Sequence, residues 1–148
     1  MKISAKGRYA VCAMIKLAAE YGSGETLSTQ KIAERLGISK IYLEQVFSQL
    51  RHAGLIGAEK GTGGGYKLKK GAEQISVYDI LSVTESGLFE PVEPILTDKA
   101  PAIENAFIEE VINPLDKLIV EFFSRKTLKE LYDEALKRSE PDSYMFYI

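Results

Sequence analysis

The side chains best suited to nucleophilic or metal chemistry occur once each, as Cys12 and His52. A single cysteine excludes an intramolecular disulfide and nearly excludes a thiolate-held metal within one chain. Cys12 has apolar neighbours, which predicts a small buried residue. His52 lies near the predicted end of a helix, where contact with solvent or a phosphate is favoured over catalysis. The sequence therefore gives little support to an enzyme.

The glycine-rich stretch over residues 60–65 differs in spacing from the common phosphate-binding loops. It lacks the Gly-Lys-Ser/Thr ending of a P-loop, and Tyr66 stands where a third spaced glycine would fall. A strand, not a helix, is predicted after it. The stretch is therefore predicted to be the tip of a hairpin.

The predicted third helix carries side chains suited to contact DNA bases. Glutamate can accept a hydrogen bond from cytosine, glutamine can pair with adenine, and isoleucine can touch the methyl group of thymine. In a helix-turn-helix, the N-terminal part of the second helix meets base edges. The predicted base-reading residues are Ser39, Ile41, Tyr42, Glu44 and Gln45.

Cationic side chains around that helix predict contacts to phosphates, which set affinity and its salt dependence but not sequence preference. The candidates are Lys6, Arg8, Lys31, Lys40 and Arg51. A wing of Lys60, Gly61, Thr62 and Gly63 would bring the cation of Lys60 to a minor groove, where narrow A·T tracts concentrate negative potential. Each residue alone is equally well explained as a solvated surface side chain, whereas the set favours DNA.

Short helices with clear ends must hold these residues. Ser4, Ser28 and Ser39 each stand where a helix N-cap is expected, and Gly37 follows the second helix at a position that favours positive φ. The third helix, which runs to about residue 53, has the apolar stripe Leu43, Val46, Phe47 and Leu50. Two short helices joined by a turn of about four residues are typical of a helix-turn-helix, and a plain helical hairpin is the alternative.

Alternating segments at 55–59 and 66–69 flank the glycine stretch and predict two returning strands. A helix-turn-helix followed at once by a basic hairpin is far more specific than either half alone. The predicted fold class is therefore mainly α with a small β-hairpin wing (α+β), a winged helix-turn-helix.

The second half is predicted to be helical. A capping box at Ser76 opens a fourth helix that ends near Gly87, and an irregular connector follows over residues 88–101. A long apolar stripe of roughly 33 Å then predicts a subunit interface, with a kink or break at Asn113-Pro114. A second capping box at Thr127 starts a last helix. The stripe consists of Ile103, Phe107, Val111, Leu115, Leu118 and Phe122.

These elements predict a DNA-binding domain over 1–72, a helix and connector over 73–101, dimerisation helices over 102–138 and a tail over 139–148. Charge follows a similar division, since residues 1–70 carry 12 Lys/Arg against 5 Asp/Glu and residues 71–148 carry 7 against 16. The basic half is the one expected to meet a polyanion.

The composition is globular, and no membrane span or signal peptide is predicted, so we expect a cytoplasmic protein.

Four motifs together resemble the Rrf2 family of bacterial transcription regulators. They are residues 1–9 (MKISAKGRY), 42–45 (YLEQ), 50–56 (LRHAGLI) and 61–68 (GTGGGYKL), in that order. The resemblance covers nearly the whole chain. It implies a homodimer built on the long C-terminal helix, a pseudo-palindromic operator, base reading by the residues named above, and a minor-groove role for Lys60 that is usually taken by arginine.

Many members of that family hold an iron–sulfur cluster through three cysteines in the connector, and residues 88–104 contain none. We therefore expect no cofactor. The cysteine-metabolism repressors of the family, which lack the cluster, resemble the chain most. They imply control by complex formation with cysteine synthase (O-acetylserine sulfhydrylase), with Tyr147 and Ile148 of the apolar tail as docking residues. Packing of the tail on its own dimer is the alternative.

The sequence thus predicts a repressor of cysteine or sulfur genes. A protein-interaction module whose basic half is incidental is the alternative function. Steep salt dependence of DNA binding would separate the two, because several phosphate contacts predict a log–log slope of several units.

Overall fold

The computed structural model describes residues 1–139, which form a helical body with one antiparallel hairpin. A 3-10 turn, Ala72–Gln74, precedes the fourth helix, and a π-helical turn, Ile108–Ile112, joins the sixth to the seventh. This architecture confirms a mainly α fold with a hairpin wing. The elements are α1 (Ala5–Ala19), α2 (Thr29–Leu36), α3 (Lys40–His52), β1 (Ile56–Glu59), β2 (Gly65–Leu68), α4 (Val77–Thr84), α5 (Ser86–Phe89), α6 (Pro101–Phe107), α7 (Asn113–Arg125) and α8 (Leu128–Ser139).

Local caps begin the first three helices, and a glycine ends the second, as the sequence predicts. The hydroxyls of Ser28 and Ser39 accept hydrogen bonds from backbone N–H groups three residues later, at 3.2 and 3.4 Å, and Ser4 caps α1 in the same way. Gly37 ends α2 with φ at +67°, a conformation in which a side chain would be strained. The turn between α2 and α3 is therefore short and well defined.

The main hydrophobic core lies where α1, α2, α3 and the hairpin meet. The predicted stripe of α3 is completely buried, at 0% exposure for each of Leu43, Val46, Phe47 and Leu50. It packs in the same cluster as residues from α1: Ala10, Ala13, Met14 and Leu17. Because one face of α3 is fixed in this core, its opposite face is presented outward.

Cys12 is exposed, so the prediction that it is buried was wrong. Helix α1 carries apolar residues around much of its circumference, and periodicity alone did not distinguish its inner face. The inner face contains the small side chains of Ala10 and Ala13, which are completely buried. Cys12 lies at the edge of this packing and lines surface clefts beside Val11 and Ile15.

The fourth helix ends at Thr84, and the prediction of an end near Gly87 was wrong. Glu85 leaves helical geometry with φ −123° and ψ 60°, and Gly87 lies inside the short helix α5. The carboxylate of Glu85 accepts hydrogen bonds from the backbone N–H and the hydroxyl of Ser4, at 2.7 and 2.5 Å. This contact, which is distant in sequence, draws Glu85 to the start of α1.

The hairpin is joined to the helices by a third strand-like segment. Ile56 pairs with Leu68 and Glu59 with Gly65 in the antiparallel register. Leu27 exchanges backbone hydrogen bonds with Tyr66, at 3.0 and 2.8 Å. The wing is therefore anchored to the segment that leads into α2.

The chain stays helical through Pro114. The N–H of Asn113 donates to the carbonyl of Ile108, five residues earlier, in the π-helical turn that precedes the proline. Proline has no N–H, and its ring crowds the carbonyl of the preceding turn, so a widened turn accommodates it. The helical segment from Pro101 to Arg125 is thus uninterrupted and about 37 Å long.

The last helix returns to the first half of the chain. Leu128 is completely buried in the main core. Backbone hydrogen bonds from Val77 to Lys126 and from Leu128 to Ile75, both 2.8 Å, fix the junction of α7 and α8. Within residues 1–139, no helix is long and apolar enough to cross a membrane.

Candidate nucleic-acid interface

The outward face of α3 combines polar side chains with one large apolar side chain. Ser39, Lys40, Glu44 and Gln45 are exposed. Ile41 is 71% exposed, which is unusual for a large apolar residue on a helix whose other side is fully buried. An exposed isoleucine between hydrogen-bonding groups suits a thymine methyl group beside base edges.

Tyr42 differs from its predicted base-reading neighbours because it is half-buried. Its ring packs edge-on against the ring of Tyr9 on α1, with centroids 5.5 Å apart. Such aromatic pairs stabilise the packing of the two elements that carry them. Tyr42 therefore fixes the position of α3 on α1. The motif YLEQ did not distinguish this packing role from a base contact.

Glu44 is paired with Lys40 one turn earlier on α3, with nitrogen and oxygen 3.8 Å apart. Both side chains are about half exposed, so the attraction is weak and easily exchanged for another partner. The pair keeps the carboxylate of Glu44 on the outward face. A base that donates a hydrogen bond could take it over at little cost.

The five predicted phosphate-contacting residues lie in different surroundings. Lys31 and Lys40 are exposed near the starts of α2 and α3, and Lys6 is half-buried on α1. Arg51 lies near the end of α3, where it lines a cleft against the wing. Arg8 lines a separate apolar cleft with residues of α7, so it lies beside the long helix.

The tip of the wing is exposed and tethered at one point. Lys60, Gly61, Thr62 and Gly63 are all exposed. The hydroxyl of Thr26 donates to the carbonyl of Gly63 at 2.8 Å, which fixes the tip against the loop before α2. Sequence reasoning missed Thr26, because its partner is far along the chain.

Backbone packing requires the glycine at the base of the wing. A Cβ atom on Gly65 would lie 2.5 Å from the backbone of Leu27, too close for any other residue. The run of glycines therefore has a structural reason in addition to any close approach to DNA. On the strands beside it, Glu59 and Lys67 form an ion pair.

Known proteins match the chain over nearly its whole length. A family model described as Rrf2, iron-dependent transcriptional regulator, matches residues 3–134. The chain is 39% identical to the HTH-type transcriptional regulator CymR of Bacillus subtilis (strain 168) over 148 residues, all of both chains.

Solved structures agree with that match. The structure of CymR, the global cysteine regulator of B. subtilis, superposes with a TM-score of 0.73 at 36% identity and covers 90% of this chain and 98% of its own. The structure of T. potens IscR superposes with a TM-score of 0.72 at 33% identity, covering 99% and 97%. The similarity to these two structures therefore extends over nearly the whole chain and is not confined to the helix-turn-helix.

The iron dependence in that family description does not fit the residues of this chain. Within residues 1–139, no group of three or more His, Cys, Asp or Glu side chains is arranged to hold a metal ion. The carboxylate of Glu104 near the connector is already occupied, because it accepts hydrogen bonds from the backbone N–H groups of Ile95 and Leu96. Residues 88–104 also contain no cysteine, so the connector lacks the thiolates that hold an iron–sulfur cluster.

Proposed function

The chain belongs to the Rrf2 family of DNA-binding transcriptional regulators, and we propose that it acts as a homodimeric repressor on a pseudo-palindromic operator. The genes proposed as its targets are those of cysteine and sulfur supply. The function is regulation and not catalysis, as it is for the named relatives.

The outward face of α3 is the observation that carries the DNA-binding part of the proposal. One side of this helix is completely buried, and the other presents Ile41, Glu44 and Gln45 to solvent. In a winged helix-turn-helix this helix enters the major groove, and its N-terminal residues reach base edges. In the proposal, Ser39 and Tyr42 complete the base-reading set, and Lys6, Arg8, Lys31, Lys40 and Arg51 contact phosphates.

The long helix supports the homodimer. Six large apolar side chains follow one another along it, and each is half or more exposed in the single chain: Ile103, Phe107, Val111, Leu115, Leu118 and Phe122. A stripe of this length on a protein of this size indicates a surface that another chain covers. A second copy presents the same stripe, and an antiparallel pairing about a two-fold axis would bury both at once.

Similarity supports the target genes. The chain aligns with CymR, the global cysteine regulator of B. subtilis, over all 148 residues. A two-fold symmetric dimer reads two half-sites with inverted sequence, since each protomer presents the same recognition helix. The operator is therefore proposed to be an inverted repeat.

The direct test is selection of DNA from a random pool by the purified protein at about 150 mM salt, where non-specific binding is weakened. We expect an inverted repeat, present upstream of sulfur genes, and a binding constant that falls steeply with salt. A pool that yields no shared motif would contradict sequence-specific binding and favour the protein-interaction alternative. A motif without inverted symmetry would contradict the dimer.

The proposal includes cysteine synthase as a partner that docks on Tyr147 and Ile148. These residues lie outside the part of the chain that the structure describes, and the support comes from sequence: the tail ends in the aromatic and aliphatic run 144–148. Aromatic and aliphatic side chains in a short segment suit apolar pockets on a partner protein. Deletion of residues 147–148 should abolish binding of purified cysteine synthase, whereas Ser143→Ala should not. Unchanged binding by the deletion variant would remove the partner from the proposal.

A further inference from the structure

The wing is held at its base by backbone groups and at its tip by one side chain. At the base, Leu27 exchanges backbone hydrogen bonds with Tyr66 of β2, at 3.0 and 2.8 Å. At the tip, the hydroxyl of Thr26 donates to the carbonyl of Gly63 at 2.8 Å. The loop between α1 and α2 therefore holds the hairpin through two adjacent residues, whose partners lie three residues apart in the wing.

The contact at Gly63 requires the tip to turn back toward the helices. In the register of the bridge at the base, residue 26 would face residue 67, so a strand that simply continued would carry Gly63 about 13 Å beyond Thr26. The tip instead closes a turn, in which the N–H of Gly64 donates to the carbonyl of Gly61 at 2.9 Å. Positive φ at Gly61 and Gly63, +104° and +80°, permits this path.

The hydroxyl of Thr26 selects one conformation of a segment that is otherwise free to adopt many. Three of the four residues over 61–64 are glycines, and glycine loses more conformational freedom on ordering than any other residue. A loop that is already ordered binds more tightly than one that must be ordered on its target. The donor is itself fixed, because Thr26 is half-buried and precedes Leu27, which lies in the main core.

The tip that Thr26 holds presents a single cation. Lys60 is exposed, and the four residues that follow it carry no charge. On the strands below the tip, Lys67 is paired with Glu59, so its charge is partly compensated. The charge that depends on the conformation of the tip is therefore that of Lys60.

We propose that Thr26 is a positioning residue for the wing: its hydrogen bond orders the tip in advance, so that Lys60 enters a minor groove without the cost of ordering a free glycine loop. The inference rests on the proposed function and adds to it a residue that acts without touching DNA itself. Minor grooves are narrow in A·T tracts and concentrate negative potential there. Thr26 thereby controls how strongly the protein prefers A·T pairs where the wing binds.

Tryptic cleavage after Lys60 in the free protein tests the hydrogen bond itself, because a protease cuts a loop tip when the tip opens. Thr26→Val keeps the shape of the side chain and removes the donor. It should raise the cleavage rate about 5-fold, the factor that corresponds to one lost hydrogen bond. Thr26→Ser should restore slow cleavage, since it keeps a hydroxyl. Ser23→Ala is the matched control, because that hydroxyl donates to the carbonyl of Glu20 within the same loop.

Dissociation constants for two duplexes test the role on DNA. Both duplexes carry the selected operator, and they differ in having A·T or G·C pairs at the positions that flank each half-site. Thr26→Val should weaken binding to the A·T duplex about 5-fold for each wing and leave the G·C duplex nearly unchanged. In a Lys60→Ala background the same substitution should have little further effect, since the cation that it positions is gone. Thr26→Ser and Ser23→Ala should bind like the unaltered protein.

The outcomes separate this inference from the proposed function. Equal cleavage of Thr26→Val and the unaltered protein would overturn the ordering of the tip. A loss of equal size on both duplexes would show a merely structural role, and losses for Thr26→Val and Lys60→Ala that simply add would do the same. Either result would overturn the positioning role while the operator preference stands. Equal affinity for operator and scrambled DNA would overturn the proposed function, and a flank preference that Thr26→Val removes from the scrambled duplex would still uphold the positioning role.

Discussion

Helix α3 and the long helix from Pro101 to Arg125 both expose a continuous face, and the two faces differ in kind. The face of α3 is polar with one isoleucine and belongs to the half with excess positive charge. The face of the long helix is an unbroken apolar stripe in the acidic half. Charge and polarity thus favour a polyanion as the partner of α3 and another apolar surface as the partner of the long helix.

The opposite sides of these helices differ as well. The inner face of α3 reaches 0% exposure at four positions, so the DNA-binding half completes its core within one chain. Along the long helix only Ile108 and Phe123 are buried. The core beneath α3 is thus completed within one chain, whereas the long helix leaves a large apolar surface exposed in the single chain.

The largest expected effect comes from two leucines that this comparison sets apart. Leu50 is completely buried on α3, and Leu118 is 62% exposed on α7. Leu50→Ala should lower the free energy of unfolding by about 2–5 kcal/mol, because it leaves a cavity. Leu118→Ala should leave the unfolding of the isolated chain nearly unchanged. Urea denaturation at several protein concentrations measures both, and equal losses in dilute protein would contradict the comparison.

The second-largest effect is expected from disruption of the apolar stripe on the long helix. Leu118→Glu introduces a charge into the stripe and should raise the dimer dissociation constant about 100-fold, since an unpaired carboxylate is costly to bury. Ser124→Glu, at an exposed position outside the stripe, is the matched control. Sedimentation equilibrium measures the constants. A dimer that tolerates Leu118→Glu as well as the control would show that the stripe is not the interface.

On α3 the expected effects concern specificity. Glu44→Ala should lose about 1–3 kcal/mol of discrimination at one base position of the operator while keeping most non-specific binding. Lys6→Ala, Arg8→Ala or Arg51→Ala should weaken binding to all sequences and reduce the salt slope by about 1. Competition assays with single-base operator variants distinguish the two. Because Arg8 lies beside α7, an unchanged salt slope for its variant would remove it from the phosphate contacts.

The smallest effect is at the start of α8. Thr127 and Glu130 form a capping box, with hydrogen bonds of 2.7 and 3.1 Å between each side chain and the other's backbone N–H. Thr127→Ala should cost about 1 kcal/mol of unfolding free energy. The loss is measured by thermal unfolding at neutral pH. A loss as large as that of Leu50→Ala would contradict a purely local cap.

Acid should remove part of this cap. The backbone N–H of Thr127 lowers the pKa of Glu130 below its ordinary value. At pH values above the ordinary pKa of glutamate, the charged carboxylate therefore stabilises the fold. This contribution is lost as the pH falls through the lowered pKa of Glu130. Glu130→Gln should make the melting temperature less sensitive to acid. Glu109→Gln, an exposed acid in the π-helical turn, serves as its control.

Much of the fold, and the exposure of the candidate residues on α3, was predictable because it depends on near neighbours. The caps at Ser28, Ser39 and Ser76 and the end of α2 at Gly37 follow from hydrogen bonds and φ preferences within about four residues. The buried stripe of α3 follows from helical periodicity. By contrast, Cys12 was misassigned because the periodicity of α1 was ambiguous. The roles of Tyr42 and Arg8 depend on partners from other elements.

The sequence by itself determined where most helices and strands begin and which face of α3 is buried, because these properties are local; which residues contact DNA stays a prediction from their side-chain chemistry. Tertiary structure alone decided that Glu85 holds the start of α1 and that His52 shares a cleft with Tyr66. It also decided that the helix passes through Pro114 by a widened turn. The first two results depend on the docking of segments that are distant in sequence. The third is a choice between two backbone geometries, both of which the proline allows.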